Sequence, residues 1–138
     1  MIDAPGSDYW HHFLRFTKDV LLSRKLISDD DLYLFKVTNS VEEAVAEIVN
    51  FYRVYHSMRY VKGDLVIRLN RAIGAATLEK IRTEFAGIIK SGTFELTAAL
   101  PEEHEEHQLG KLPRLKFRFD RHKLGRLRQL IDVINQDK

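Results

Sequence analysis

The sequence contains no cysteine, which excludes a disulfide framework, a thiolate nucleophile and a thiolate metal site. Proline and glycine are sparse, three and seven among 138 residues, too few for a low-complexity or fibrous chain. No apolar run approaches the ~18 residues that a membrane-spanning helix needs. The opening Met1-Ile2-Asp3-Ala4-Pro5-Gly6 has neither the basic start nor the apolar stretch of a secretion signal. These absences lead us to expect a cytoplasmic protein. Phosphate-binding glycine motifs are also missing. Gly87 and Gly92 stand at the Walker spacing, but Thr93 follows where the motif requires lysine. There is no G-x-G-x-x-G and no G-x-S-x-G, and nothing nominates a nucleophile, histidine and aspartate triad. No internal repeat or low-complexity tract is expected.

What is present is a globular composition, 44% apolar and 30% charged. A chain of this length makes about one domain and buries roughly two-thirds of its unfolded surface. The net charge of +2 is unevenly spread. Residues 111–138 hold nine Lys/Arg against three Asp, a net of +6; residues 1–110 hold thirteen basic against seventeen acidic, a net of −4. A basic tail can attract phosphate-bearing partners, or it can lie against the acidic remainder of the same chain.

Hydrophobic spacing divides the chain in two. Ser7 or Asp8 can cap a helix over Tyr9–Ser23, with Trp10, Phe13, Leu14, Val20 and Leu21 on one face. After the polar turn Ser28–Asp31, the nearly continuous apolar run Leu32–Thr38 predicts a strand covered on both faces. Ser40-Val41-Glu42-Glu43 reads as a capping box opening a helix to about Arg53, with Val41, Ala44, Val45, Ile48, Val49 and Tyr52 as its stripe. Residues 1–53 therefore read helix, strand, helix. Beyond them the segments alternate with period two. Strands are expected over Asp64–Asn70, Thr93–Ala99 and Arg114–Phe119, with helices opened near Thr77 and Asp120. Residues 54–138 thus read as a βαββα domain: an antiparallel or mixed sheet, covered by helices on one face. The fold class is α+β.

Three groups of side chains are candidate sites. Arg53, His56, Ser57 and Arg59 lie among Tyr52, Tyr55 and Tyr60, a density of hydrogen-bonding and aromatic groups that suits an anion pocket or, preferably, a junction between lobes. Arg68, Arg114, Lys116 and Arg118 share the polar side of the predicted sheet, near Glu95. They form either a basic platform for phosphate or single-stranded nucleic acid, or a solvated face with cross-strand pairs. Phe94, Phe117 and Phe119 alternate to the opposite face, which counts against stacked nucleic-acid bases. Finally, Glu102-Glu103-His104-Glu105-Glu106-His107 places two histidines three apart among carboxylates. Its order and spacing differ from His-Glu-x-x-His, and a charged loop is the preferred reading. No metal or cofactor is assigned.

Gly6-Ser7-Asp8-Tyr9-Trp10, Ile27-Ser28, Asp31-Leu32, Leu34-Phe35, Val37-Thr38-Asn39-Ser40 and Glu42-Glu43-Ala44-Val45 resemble the end of a LOG-type Rossmann protein, a family that includes phosphoribohydrolases of nucleoside 5′-monophosphates. Phe51-Tyr52-Arg53, Tyr55-His56-Ser57 and Arg59-Tyr60-Val61 resemble the joint in a longer bacterial subgroup that carries an extra C-terminal domain. The family's signature P-G-G-x-G-T-x-x-E, which binds phosphate and supplies the catalytic carboxylate, is absent from these residues, so no active-site residue carries over. The resemblance implies a non-catalytic C-terminal part of a nucleotide-binding protein, with a structural, oligomerisation or regulatory role. It also implies a homo-oligomer or a missing N-terminal Rossmann-like subunit as partner, with residues 7–52 at the interface. The alternative is a stand-alone basic module binding nucleic acid or another polyanion.

Overall fold

A computed structural model describes residues 1–103 and 107–138, the side chain of His107 excepted. Its centre is a four-stranded sheet of β1 (Tyr55–Val61), β2 (Asp64–Leu69), β3 (Ile89–Thr97) and β4 (Arg114–Phe119), in the order β1-β2-β4-β3. Every neighbouring pair is antiparallel. Helices α3 (Ala75–Glu84) and α4 (Leu124–Asn135) cover one face. Leu65, Ile67, Leu69, Phe94, Leu115, Phe117 and Phe119 from the strands meet Ile81 of α3, Phe85 just after it, and Leu127, Leu130, Ile131 and Ile134 of α4 in one buried core. The expected α+β class and the helix-covered antiparallel sheet are both seen.

Two expectations are corrected. First, residues 54–138 form ββαββα rather than βαββα, because Tyr55–Val61 is an edge strand joined to β2 by Lys62-Gly63. Both turn residues have positive φ, +49° and +90°, the conformation of a type I′ hairpin whose twist matches that of its strands. An edge strand needs only one partner, and this one alternates weakly, with Met58 and Tyr60 largely exposed. Second, Leu32–Thr38 is not a strand. Asp29–Leu34 is a 3-10 helix, opened where the Ser28 N–H donates to Asp31 Oδ2 at 2.8 Å. The run has no sheet to join: only an isolated parallel bridge links Thr38 to Ile2, while Tyr33 and Leu34 are exposed. A continuous apolar run suits a strand covered on both faces; here α4 covers one side of the turn, Leu32, Phe35 and Val37 are half-buried, and the other side stays open.

The other elements lie near their expected places with different caps. α1 (Tyr9–Phe16) runs on as a π-helix over Thr17–Leu22. Its first N–H groups are received by Asp3, whose carboxylate accepts from Trp10 at 2.8 Å and His11 at 3.3 Å. α2 (Val41–Phe51) has half of the expected capping box. Ser40 Oγ accepts from the Glu43 N–H at 3.2 Å, but the Glu43 carboxylate binds the Thr38 hydroxyl at 2.7 Å instead of reaching back to Ser40. The 3-10 turn Asp29–Leu34 lies against α4 so closely that a Cβ built on Gly125 would sit 2.0 Å from the Asp30 carbonyl oxygen.

The core unit also contains a repeat that the sequence reading did not find. Leu65-Val66-Ile67-Arg68-Leu69-Asn70-Arg71 is echoed by Leu115-Lys116-Phe117-Arg118-Phe119-Asp120-Arg121, each position displaced by 50. In the sheet Leu65 pairs with Phe117, Val66 with Lys116 and Ile67 with Leu115. Val66 therefore pairs with its own counterpart, and a local two-fold axis passes between β2 and β4 at that point. The unit is two ββα halves related by this axis.

Candidate functional site

The outer face of the sheet carries the basic residues that alternation placed there. Arg68 and Arg114 are directly opposed across β2 and β4, and both are buried, Arg114 completely. Two guanidinium groups this close require an anion between them. Glu103 supplies it from the long β3–β4 connection, itself 3% exposed. Arg68 Nε and Nη2 donate to Glu103 Oε1 at 3.0 and 2.7 Å, and Arg114 Nε donates to Oε2 at 3.1 Å. Burial pushes the Glu103 carboxyl up, but the bonds from Arg68, the Leu100 N–H and Arg114 outweigh it and hold the group below the ordinary glutamate value.

The remaining basic residues of this face also have partners. Lys116 Nζ meets Glu95 at 2.9 Å, a cross-strand pair that holds the ammonium charged to higher pH than usual. Arg118 Nη1 donates to the Lys62 carbonyl at 2.9 Å and lies 3.3 Å from Asp64. Under the two-fold axis Arg118 is the counterpart of Arg68. Each of these arginines thus clamps the connection between the strands of the opposite half. Arg59 pairs with Val66 on β2, which places it on the same face, and it too has interaction partners.

Arg53 and His56 occupy the seam between the N-terminal segment and the sheet. Arg53 Nη2 donates to the Asn135 carbonyl at the end of α4. Asn135 is the centre of this seam: its Oδ1 accepts from the Val54 and Tyr55 N–H groups, and its Nδ2 donates to the Phe51 carbonyl at 2.6 Å. His56 Nδ1 lies 2.8 Å from Ser57 Oγ. The predicted cluster is therefore divided. Arg53 belongs to a junction, while Arg59 belongs to the sheet face.

Beside the seam, α2 and α4 enclose an open cleft of about 410 Å³ lined by Glu47, Phe51, Arg53, Arg128, Asp132 and Asn135, among others. Arg128 lies 4.7 Å over the Phe51 ring and bridges Glu47 at 2.6 Å and Asp132 at 2.9 Å. Burial, with Arg128 opposing it and Glu47 adding to it, raises the Asp132 carboxyl above its ordinary value. Two residues beyond Asn135, Asp137 accepts from the Gly74 N–H at 3.0 Å and from the Thr77 hydroxyl and Arg71 at 2.5 Å. The cap of α3 is thus a residue 60 positions away from Thr77.

Arg128, Asn135 and Asp137 were not singled out from sequence, and Glu103 was named only as part of the charged run Glu102–His107. Asn135 did leave a signal: it follows Ile131 by one helical turn and so interrupts an apolar stripe with an amide. Glu103 was hidden within a charge run. His104, Glu105 and Glu106 lie outside the described residues; among those described, no cluster of three metal-ligating side chains is found. No described helix is long and apolar enough to cross a membrane.

Comparison with known proteins found no matching protein family, no matching curated protein and no matching solved structure.

Proposed function

We propose that the chain is a non-catalytic C-terminal part of a LOG-like nucleotide-binding protein of the cytoplasm, and that it serves assembly. Residues 7–52 supply the docking face and the ββαββα unit the stable anchor. One observation carries this reading. α2 presents Val41, Val45, Ile48, Val49 and Tyr52 to solvent as a continuous stripe, with Ile48 and Val49 61% and 64% exposed. Positions 41, 45, 48, 49 and 52 fall on one helical face, and in a soluble domain such a face is normally covered. Phe13, Phe16 and Leu34 extend the exposed apolar surface. The core of the ββαββα unit, by contrast, is closed.

The resemblance to the end of a LOG-type domain accounts for this imbalance, because there the same residues would lie against the rest of a nucleotide-binding sheet or against another subunit. The alternative of a free basic platform draws less support, since Lys116, Arg118, Arg68 and Arg114 are all engaged by carboxylates.

The test is the mass of the purified chain by light scattering at micromolar concentration, with and without a separately produced subunit bearing the glycine-rich signature. Self-association or capture of that subunit is expected, and Ile48→Glu should abolish it while leaving the unfolding transition intact. A monomer that ignores the subunit would refute the proposal. So would release of free base from a nucleoside monophosphate by the chain alone.

A further inference from the structure

The Arg68–Glu103–Arg114 group does more than balance charge. Glu103 Oε1 accepts two N–H bonds from Arg68, and Oε2 accepts from Arg114 Nε and from the Leu100 N–H at 3.1 Å. A carboxylate offers about four lone-pair positions, so the two oxygens are saturated. Arg114 Nη1 is used by the Leu112 carbonyl. Arg114 Nη2 remains: it is buried, in a fully buried side chain, and has no hydrogen-bond partner among the described residues. A buried donor left unpaired is costly, and more so when it is charged. Glu103 cannot remove that cost, because it has no third oxygen.

We propose that Arg68 and Arg114 form a receptor for a small oxyanion of the phosphate class, and that Glu103 occupies it from within the chain as a resident stand-in. A tetrahedral phosphate presents a third oxygen to Arg114 Nη2 and matches the planar forks of two arginines better than one carboxylate does. The site is rigidly built, since both arginines stand on central strands and face each other in register. Glu103, by contrast, arrives on the 3-10 turn Pro101–Glu103 within the β3–β4 connection, the one element of this group that is not part of the sheet. An incoming anion takes the place of the carboxylate and releases this turn from the sheet. Competition from Glu103 lowers the apparent affinity by the fraction of chains in which the receptor is open. The second half of the pseudo-symmetric unit shows the contrast: Arg118, the counterpart of Arg68, reaches a two-residue turn and has no opposed arginine.

The experiment is calorimetric titration of the full chain with inorganic phosphate, ionic strength held constant with chloride, for the unaltered protein, Glu103→Gln and Glu103→Gln/Arg114→Gln. Removing the resident charge should tighten phosphate binding by about tenfold or more, equivalent to about 1.4 kcal/mol, and the second substitution should abolish it. Equal affinity in the first two proteins, or binding that survives loss of Arg114, overturns the proposal. Acetate serves as the carboxylate arm; if it binds Glu103→Gln as well as phosphate does, the assignment to the phosphate class is wrong. Should Glu103→Gln fail to fold, Glu103→Asp replaces it: withdrawing the carboxylate by one methylene weakens its hold on both arginines, so phosphate should bind measurably tighter than to the unaltered protein, and equal or weaker binding overturns the proposal.

Discussion

The side-chain oxygen of Asn135 receives the backbone N–H groups of both Val54, at 2.8 Å, and Tyr55, at 2.9 Å. One amide at the end of α4 thus fixes the point where the chain leaves α2 and enters β1. Both N–H groups are buried and have no water to fall back on. Replacing Asn135 with alanine should lower unfolding stability by about 2–4 kcal/mol, since each orphaned buried donor costs about 1–3 kcal/mol. Urea denaturation measures this directly. A loss below that of an ordinary surface substitution would show that the seam is held elsewhere.

Gly125 permits a close approach between α4 and the backbone of Asp30. In an ordinary helix, changing glycine to alanine stabilises by roughly 1 kcal/mol. Here the new Cβ would meet the Asp30 carbonyl oxygen at 2.0 Å, a backbone atom that cannot rotate away. Gly125→Ala is therefore expected to have the opposite sign, with a cost of about 1–3 kcal/mol typical of overpacking. It should also loosen the Asp29–Leu34 turn. Limited proteolysis within residues 23–40 should accelerate, while the ββαββα unit stays protected.

Lys62 adopts a φ of +49° in the first position of the β1–β2 turn, where asparagine is strongly preferred. Lys62→Asn should raise stability by about 0.5 kcal/mol, in the range for improved turn residues. The lost contact between Lys62 and Glu102 is largely exposed on the lysine side and contributes little. Thermal unfolding provides the check, and a decrease in Tm would show that the Glu102 contact matters more than the turn.

Glu103 and Asp137 both keep their carboxyls ionised to lower pH than usual. In Asp137, burial pushes the group up, but bonds from Thr77, Arg71 and Gly74 outweigh it. A depressed native value means that the stability from these groups is complete above the unfolded range near ~4 and is lost as pH falls through the native values. The chain should therefore hold its stability down to about pH 5 and lose it steeply below about pH 4. Asp137→Asn should make that acid limb shallower. An unchanged slope would show that the α3 cap does not titrate with folding.

Legibility in the sequence followed locality. α2, α3, α4 and three of the four strands were readable because their apolar spacing alone decides which face is buried. The strand expected over Leu32–Thr38 failed because local composition cannot say whether a neighbouring strand exists. β1 was missed for the converse reason: its pairing with β2 and the type I′ turn define it, while its own residues alternate poorly. At the candidate sites, the positions of Arg68, Arg114, Lys116 and Arg118 on one face followed from period-two alternation. That Glu103 would enter between two of them did not, since the β3–β4 connection has no periodicity to read. The repeat escaped notice because similarity is confined to the inner strands and the residues just after them. The outer strands Tyr55–Val61 and Ile89–Thr97 differ in length and in their bulges.

That two-fold relation bears on how the molecule comes to fold at all. Either ββα half alone would end in an inner strand with a bare edge and a core open along its centre. Neither half should persist without the other, and unfolding of residues 54–135 should be a single transition. By the same reasoning, a shorter polypeptide carrying only one half would find its missing neighbour in another copy of itself, pairing at the position of Val66 in the first half or of Lys116 in the second.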